Sequence, residues 1–97
     1  MVSMKKIEII INKPFLKKVL SFLEGEGVKG YTVIEDVIGM GERGLMSGDE
    51  VTDTLKNSYI ILICDVETSK KVTQNIVPYL KRYGGICVVS DVLYVEH

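Results

Sequence analysis

The sequence contains little of what most catalytic sites are built from. It has no tryptophan, two cysteines, two prolines and a single histidine, His97, which is the last residue. No Ser/His or Cys/His pair for nucleophilic catalysis can be assembled from one terminal histidine. The chain is therefore expected to bind or signal rather than to act as an enzyme.

The two cysteines, Cys64 and Cys87, lie within apolar, β-branched runs. Their spacing matches no metal-binding motif, so no metal site is predicted from them. Buried cysteines of this kind behave as small apolar residues, and free thiols are typical of a reducing compartment. We expect two free thiols in a cytoplasmic protein.

The chain also has no marked excess of positive or negative charge, since its formal net charge is −1. A balanced chain has no general basic field for nucleic acid, so no nucleic-acid partner is expected. No apolar run reaches the roughly 18–20 residues that a membrane span needs. The amino-terminal residues also lack the features of a secretory signal.

At 97 residues the chain is expected to form a single domain, 1–97. The first half predicts a strand, then a helix that begins near Pro14 and ends at Gly25, then a second strand with a bulge at Glu35-Asp36. The two strands are predicted at 5–12 and 28–38.

The second half repeats this order after a long polar connection at 45–57. A strongly apolar strand at 58–66 is followed by a helix with Thr68 or Ser69 as its cap. Pro78 should kink or break this helix near Val77, because proline removes a donor and clashes with the preceding turn. A last strand is predicted at 86–95.

Two β-α-β units of similar length predict an α+β, ferredoxin-like βαββαβ fold. The four-stranded antiparallel sheet should carry both helices on one face, with the first and third strands at its centre. Its other face would then be apolar and uncovered, and a second copy of the chain is the simplest cover. We therefore expect an oligomer.

The most informative stretch is Gly39-Met40-Gly41-Glu42-Arg43-Gly44. Glycines allow sharp turns that expose backbone N–H groups, and such groups beside an arginine form an anion-binding surface. The letters match G-x-G-x-x-G, but a dinucleotide site needs that motif to open a helix, and residues 45–57 have no apolar helical stripe. A phosphate-binding cleft is the interpretation we favour over a purely structural turn.

Two further sets of charged residues are candidates for ligand binding. Asp49, Glu50 and Asp53 could bind a cation, but acidic loops are more often only solvated. Arg82 precedes a second glycine turn, Gly84-Gly85, that could also face a phosphate.

Several segments resemble the P-II signalling proteins. Lys5 to Ile11 followed by Lys13-Pro14-Phe15 resembles the opening of that family. Gly30-Tyr31-Thr32-Val33 followed by Gly39-Met40-Gly41 resembles its second strand and the base of its T-loop. The stretch from Tyr83 to Val92 is more similar to the carbon-sensing, SbtB-like branch.

The resemblance implies a homotrimer with adenine nucleotides bound in the clefts between subunits. It implies a mobile T-loop at about 42–57, which docks onto a membrane transporter or an enzyme. By analogy with the family, the partner would be a transporter for bicarbonate or another anion, reached from the inner face of the membrane. The nucleotide-binding positions that it implies are Ile10, Thr32, Gly39, Met40, Gly41, Arg43, Gly84 and Gly85.

Departures from the family pattern shift the expected ligand. ATP-binding members carry a lysine where this chain has Tyr59, and arginines in a C-terminal segment that here ends Leu93-Tyr94-Val95-Glu96-His97. Because each phosphate needs paired donors, AMP or ADP is favoured over ATP. The T-loop region contains no tyrosine for uridylylation.

Two other classes share the predicted architecture. A CutA-like trimeric protein would bind a divalent metal through the acidic loop and Cys64 or Cys87. An acylphosphatase-like enzyme would need an arginine just after the first strand, where this chain has Asn12-Lys13.

Overall fold

In a computed structural model, which describes residues 1–41, 44–45 and 56–97, the chain forms one four-stranded sheet with helices on one side. The elements in chain order are β1 (Val2–Asn12), a 3-10 turn (Lys13–Phe15), α1 (Leu16–Gly25), β2 (Thr32–Val37), β3 (Met40–Gly41), β4 (Gly44–Leu45), β5 (Asn57–Cys64), α2 (Val66–Asn75), α3 (Val77–Tyr83) and β6 (Ile86–Tyr94).

The sheet has the order β2-β5-β1-β6, and all of its pairings are antiparallel. The first and third long strands are therefore central, as predicted, and this is the predicted ferredoxin-like α+β fold. Cys64 and Cys87 lie on β5 and β6, which β1 separates, and both are free thiols. Burial raises the pKa of each thiol, which keeps both protonated at neutral pH.

Alternate residues of the central strands form the core. Ile7 and Ile9 of β1 are fully buried opposite Leu62 and Ile60 of β5. Val19 and Leu23 of α1 and Val72 and Ile76 at the second helical segment complete the cluster from the helix side. Branched and γ-branched side chains on one parity of each strand thus fix which face of the sheet the helices cover.

Proline breaks the second helix as predicted. The helix is divided at Ile76, and Pro78 lies in the first turn of α3, where its missing N–H costs nothing. The predicted cap was wrong: Asp65 is the N-cap, and its carboxylate accepts a 2.7 Å hydrogen bond from the N–H of Thr68. Strand β5 consequently ends at Cys64 rather than at residue 66.

The second strand is shorter than predicted but contains the expected bulge. It spans Thr32–Val37, and its register with β5 shifts between Ile34 and Val37. Asp36 lies in this bulge with φ of 63°, a conformation that aspartate tolerates better than most residues. The bulge turns the chain at the point where the glycine-rich stretch begins.

None of the helices within the described residues has the length and hydropathy that a membrane crossing requires.

Candidate functional site

The glycine turn after α3 is held against the central strand. Gly84 and Gly85 have φ of 78° and 99°, in a region that side chains other than glycine rarely adopt. A Cβ on Gly85 would lie 2.5 Å from the carbonyl oxygen of Ile10. The structure therefore brings Ile10, Gly84 and Gly85 together, and the close approach is possible because Gly85 has no side chain.

The glycine-rich stretch after β2 has a different geometry. Met40 and Gly41 pair antiparallel with Leu45 and Gly44, which places a short two-stranded ribbon beyond the end of β2. Among the glycines in the described residues, those with positive φ are Gly27, Gly84 and Gly85, so Gly39 does not use the conformational freedom that we expected of it. A Cβ at Gly39 would meet nothing within 4 Å.

Arg43, the predicted phosphate ligand, lies outside the described residues. The same holds for Glu42 and for residues 46–55, which include Asp49, Glu50 and Asp53 and most of the predicted T-loop. The T-loop, predicted at about 42–57, stays a prediction; Asn57 at its end is the first residue of β5.

Lys13 ties together the two points at which this segment leaves the sheet. Its Nζ donates a 2.8 Å hydrogen bond to the Asp36 carboxylate in the bulge of β2. Its backbone N–H donates a 2.8 Å bond to the carbonyl oxygen of Lys56, just before β5. The hydrogen bond from Lys13, with help from the charges of Lys13 and Lys56, holds the pKa of the Asp36 carboxyl below its usual range.

Two buried polar side chains lie directly beside this junction. Asn57 is 1% exposed and pairs with both Asn12 and Val37, and Ser58 follows it with no exposed surface. Within the described chain, the side chains of Asn57 and Ser58 find no hydrogen-bond partner. The sequence did not predict a role for either residue, nor for Lys13 and Asp36 at this junction. The one available signal was the aspartate at the predicted bulge, where a glycine would be more usual.

The remaining predicted residue, Thr32, lies opposite Ile61 of β5, on the face of the sheet that the helices do not cover. Ile10 faces the same side. This uncovered face also carries large apolar side chains at the two edges of the sheet, with exposed fractions of 51% for Ile34, 55% for Ile86 and 50% for Val88.

A polar network lies at the centre of the uncovered face. The Tyr59 hydroxyl donates a short hydrogen bond to Glu8, and Lys6 lies 3.6 Å from the same carboxylate. The Tyr59 bond lowers the pKa of Glu8 and raises the pKa of Tyr59, because each group stabilises the form that the other holds at neutral pH. The hydroxyl of Tyr59, the residue that we compared with the lysine of ATP-binding P-II proteins, is therefore bonded to Glu8.

The two glycine segments lie at the same end of the sheet but at opposite edges. Ile86, which follows Gly85, pairs with Ile10, and Val37, which precedes Gly39, pairs with Asn57 opposite Asn12. Strands β5 and β1 separate the two edges, so the segments are three inter-strand steps apart, about 14 Å at the usual spacing. One copy of the chain does not bring them together.

Fold and site together define a class of small α+β protein with glycine segments at one end of its sheet. The family model described as nitrogen regulatory protein P-II matches residues 4–97, and the chain belongs to the P-II family. A comparison with curated protein sequences finds no match.

Solved structures with the same fold agree with this assignment. CPII from Thiomonas intermedia K12, bound to ADP and bicarbonate, is 26% identical with a TM-score of 0.81, covering 94% of this chain and 87% of that one. CPII bound to ADP, AMP and bicarbonate gives 24% identity, a TM-score of 0.83 and the same coverage. A PII-like signalling protein from Thermus thermophilus is 25% identical with a TM-score of 0.77, covering 94% of this chain and 88% of that one.

Proposed function

We propose that this P-II family protein is a non-enzymatic signalling protein that binds an adenine nucleotide between the subunits of a homotrimer. The observation that carries the proposal is the position of the two glycine segments, at one end of the sheet but on opposite edges. A cleft lined by both segments has to be formed by two copies of the chain. A closed ring of copies gives each cleft both of its walls.

The uncovered face of the sheet supports the homotrimer. Exposed isoleucine and valine at both edges and the Tyr59–Glu8 pair between them leave this face apolar with one satisfied polar network. Large exposed apolar patches mark association surfaces. Packing this face against other copies would bury the patch and leave the helices on the outside.

In the proposed cleft, Ile10 and Thr32 lie beside the base, and Gly39, Met40 and Gly41 lie along the ribose and phosphates of the nucleotide. Gly84 and Gly85 of the neighbouring copy close the other wall, and Arg43 pairs with phosphate. Backbone N–H groups at glycine turns form anion-binding concavities, and an arginine adds a bidentate donor.

AMP or ADP is the proposed ligand rather than ATP. Near the start of β5 lies Tyr59, whose hydroxyl is bonded to Glu8 and adds no positive charge for a third phosphate. CPII, 26% identical to this chain, binds ADP and bicarbonate. A small anion such as bicarbonate is therefore the proposed second effector, in keeping with the SbtB-like, carbon-sensing branch.

Signalling would follow from a change in the surface that residues 42–56 present when nucleotide is bound. Lys13 contacts both ends of this segment, Asp36 through its side chain and Lys56 through its backbone N–H, so the two ends share one residue. The proposed partner is a membrane transporter for bicarbonate or another inorganic anion, which a cytoplasmic protein would approach from the inner face of the membrane.

Titration calorimetry with AMP, ADP, ATP and cyclic AMP, with the mass measured by light scattering, tests the proposal. We expect a trimer and saturable binding of AMP or ADP. Arg43→Ala should weaken binding by ~1–3 kcal/mol, the usual worth of a charge-assisted phosphate contact. Lys70→Ala, which removes an exposed cation from α2, is the matched control and should bind as the parent does.

A monomer, or no binding of any of these nucleotides at millimolar concentration, would remove the proposal. The CutA-like alternative is not favoured, because the family model that matches is P-II. Within the described residues, no three His, Cys, Asp or Glu side chains are grouped as a metal site would need.

A further inference from the structure

A groove with aromatic walls and a basic rim runs between α1 and α3. It encloses about 530 Å³ and is lined by Lys17, Lys18, Ser21, Phe22, Tyr79 and Tyr83. We call it the aromatic groove. It lies on the helix side of the sheet, opposite the uncovered face, and takes no part in the nucleotide cleft proposed above.

Three rings form the floor of the aromatic groove, and a fourth, Phe15, continues the row by stacking on Tyr83. Phe15 stacks on Tyr83 with ring centroids 4.3 Å apart, Tyr83 lies 6.4 Å from Tyr79, and Tyr79 lies 4.7 Å from Phe22. All four residues are partly buried against the core, and Phe22, Tyr79 and Tyr83 line the groove. Their mutual packing fixes the rings, so the apolar floor exists before any partner arrives.

Cations border this floor on both helices. The ammonium of Lys18 lies 5.3 Å from the centroid of the Tyr83 ring and the guanidinium of Arg82 lies 5.6 Å from it. Lys17 lines the groove beside Lys18, whereas the acidic residues at the end of α1, Glu24 and Glu26, do not line it. The rim therefore has an excess of positive charge on a protein whose net charge is −1.

We propose that the aromatic groove is a docking site for an acidic, amphipathic segment of another protein. Apolar side chains of the segment would lie on the rings, and its carboxylates would meet Lys17, Lys18 and Arg82. Electrostatic complementarity of this kind selects partners and sets orientation. The arrangement of an apolar floor between two helices is the one that receives an amphipathic helix or an extended peptide.

Other occupants suit the groove less well. It is shallow and open along its length, whereas sites for small molecules surround most of the ligand. Its rings are partly buried against the core, whereas rings that insert into a lipid bilayer project from the surface. The chain has no broad basic field to follow a nucleic-acid backbone.

The test uses the full chain saturated with ADP and a displayed library of random 12-residue peptides. Enriched peptides are synthesised with a fluorophore, and their affinities are measured by fluorescence anisotropy. We expect the enriched sequences to combine aspartate or glutamate with aromatic or aliphatic residues. Lys17→Glu/Lys18→Glu should weaken binding by about tenfold or more, since both rim charges are reversed.

Two further variants separate docking in the groove from general attraction. Lys70→Glu/Lys71→Glu makes the same charge change on α2, outside the groove, and should bind the peptide as the parent does. Ser21→Trp places a bulky ring in the groove at an exposed position and should block binding without altering charge. All three variants should keep the parent affinity for ADP, measured by calorimetry.

The proposal is overturned if the enriched peptides have no acidic bias or bind Ser21→Trp as well as the parent. It is equally overturned if both double variants lose the same affinity, because the attraction would then be general. Recruitment to vesicles containing phosphatidylserine with no acidic peptide selected would assign the groove to a membrane instead. The peptide affinities are also measured without nucleotide, so failure of the groove is distinguishable from failure of the proposed cleft, which the ADP titration alone tests.

Discussion

Replacing Gly85 with alanine tests the contact between the second glycine turn and the central strand. The added Cβ would lie 2.5 Å from the carbonyl oxygen of Ile10 and 3.1 Å from Cδ1 of Ile11. The first of these is a backbone atom within a paired strand, so it cannot move away as the end of a flexible side chain would. The turn itself must shift, or the strand must.

The cost has two parts that can be measured separately. A side chain at φ of 99° costs ~1–2 kcal/mol, because the left-handed region crowds Cβ against the backbone. The forced contact with Ile10 adds ~1–3 kcal/mol, as overpacking does in closely packed interiors. The neighbouring Gly84 has φ of 78° and open space around its Cβ position, so Gly84→Ala incurs the first cost alone.

Thermal unfolding at one fixed protein concentration, followed by circular dichroism, compares the two variants. Each kcal/mol lowers the melting temperature of a domain of this size by about 4–8 °C. Gly85→Ala should therefore melt at least ~8 °C below the parent, and clearly below Gly84→Ala. If the two variants melt together, the close approach of Gly85 to Ile10 does not contribute, and our account of the turn is wrong.

Three further perturbations test the local geometry. Ser58→Ala should leave the free energy of unfolding, measured in urea, unchanged or raise it by up to ~1 kcal/mol, because the buried hydroxyl has no partner among the described residues. A loss above about 1 kcal/mol would contradict this. Asp65→Ala should lower the melting temperature by about 4–8 °C through loss of the cap on Thr68, and Asp65→Asn should restore most of it. The lowered pKa of Asp36 means that its ion pair with Lys13 stabilises the fold fully above about pH 5 and is lost as the pH falls through that pKa. Melting temperatures between about pH 2 and 7 should show a shallower acid limb for Asp36→Asn, and an unchanged limb would refute the assignment.

The sheet could be predicted because its side chains repeat with a period of two. Apolar residues on both parities of the third strand indicated a central position, and β5 lies between β1 and β2. Proline also acts locally, so the division of the second helix near Val77 could be predicted from Pro78 alone. The N-cap of α2 was missed because the predicted strand extended through Val66, which placed Asp65 inside that strand. If the strand had been ended at Cys64, Asp65 would have been the natural N-cap candidate.

The candidate site was less accessible to sequence reasoning, because its contacts join residues far apart in the chain. The bond from Lys13 to Asp36 spans 23 positions, and nothing in the local pattern of either residue predicts it. The glycines illustrate the same limit. Three of them in six residues predicted a tight turn at Gly39, but the glycines with positive φ in the described chain are Gly27, Gly84 and Gly85, which follow the ends of helices.

The end of β1 is the part of the molecule through which the proposed cleft and the base of the 42–56 segment can influence each other. Ile10 contacts the turn at Gly85, Asn12 pairs with Asn57 where β5 begins, and Lys13 binds Asp36 and Lys56. These contacts come from three residues within the four-residue stretch 10–13, so they are contiguous along one segment of the chain. A ligand that shifted the Gly85 turn would act on Ile10 directly, and Ile10 is three residues from Lys13, whose side chain bonds Asp36 and whose backbone N–H bonds Lys56. We therefore expect any coupling between the proposed cleft and this segment to need only a small movement at the end of a central strand.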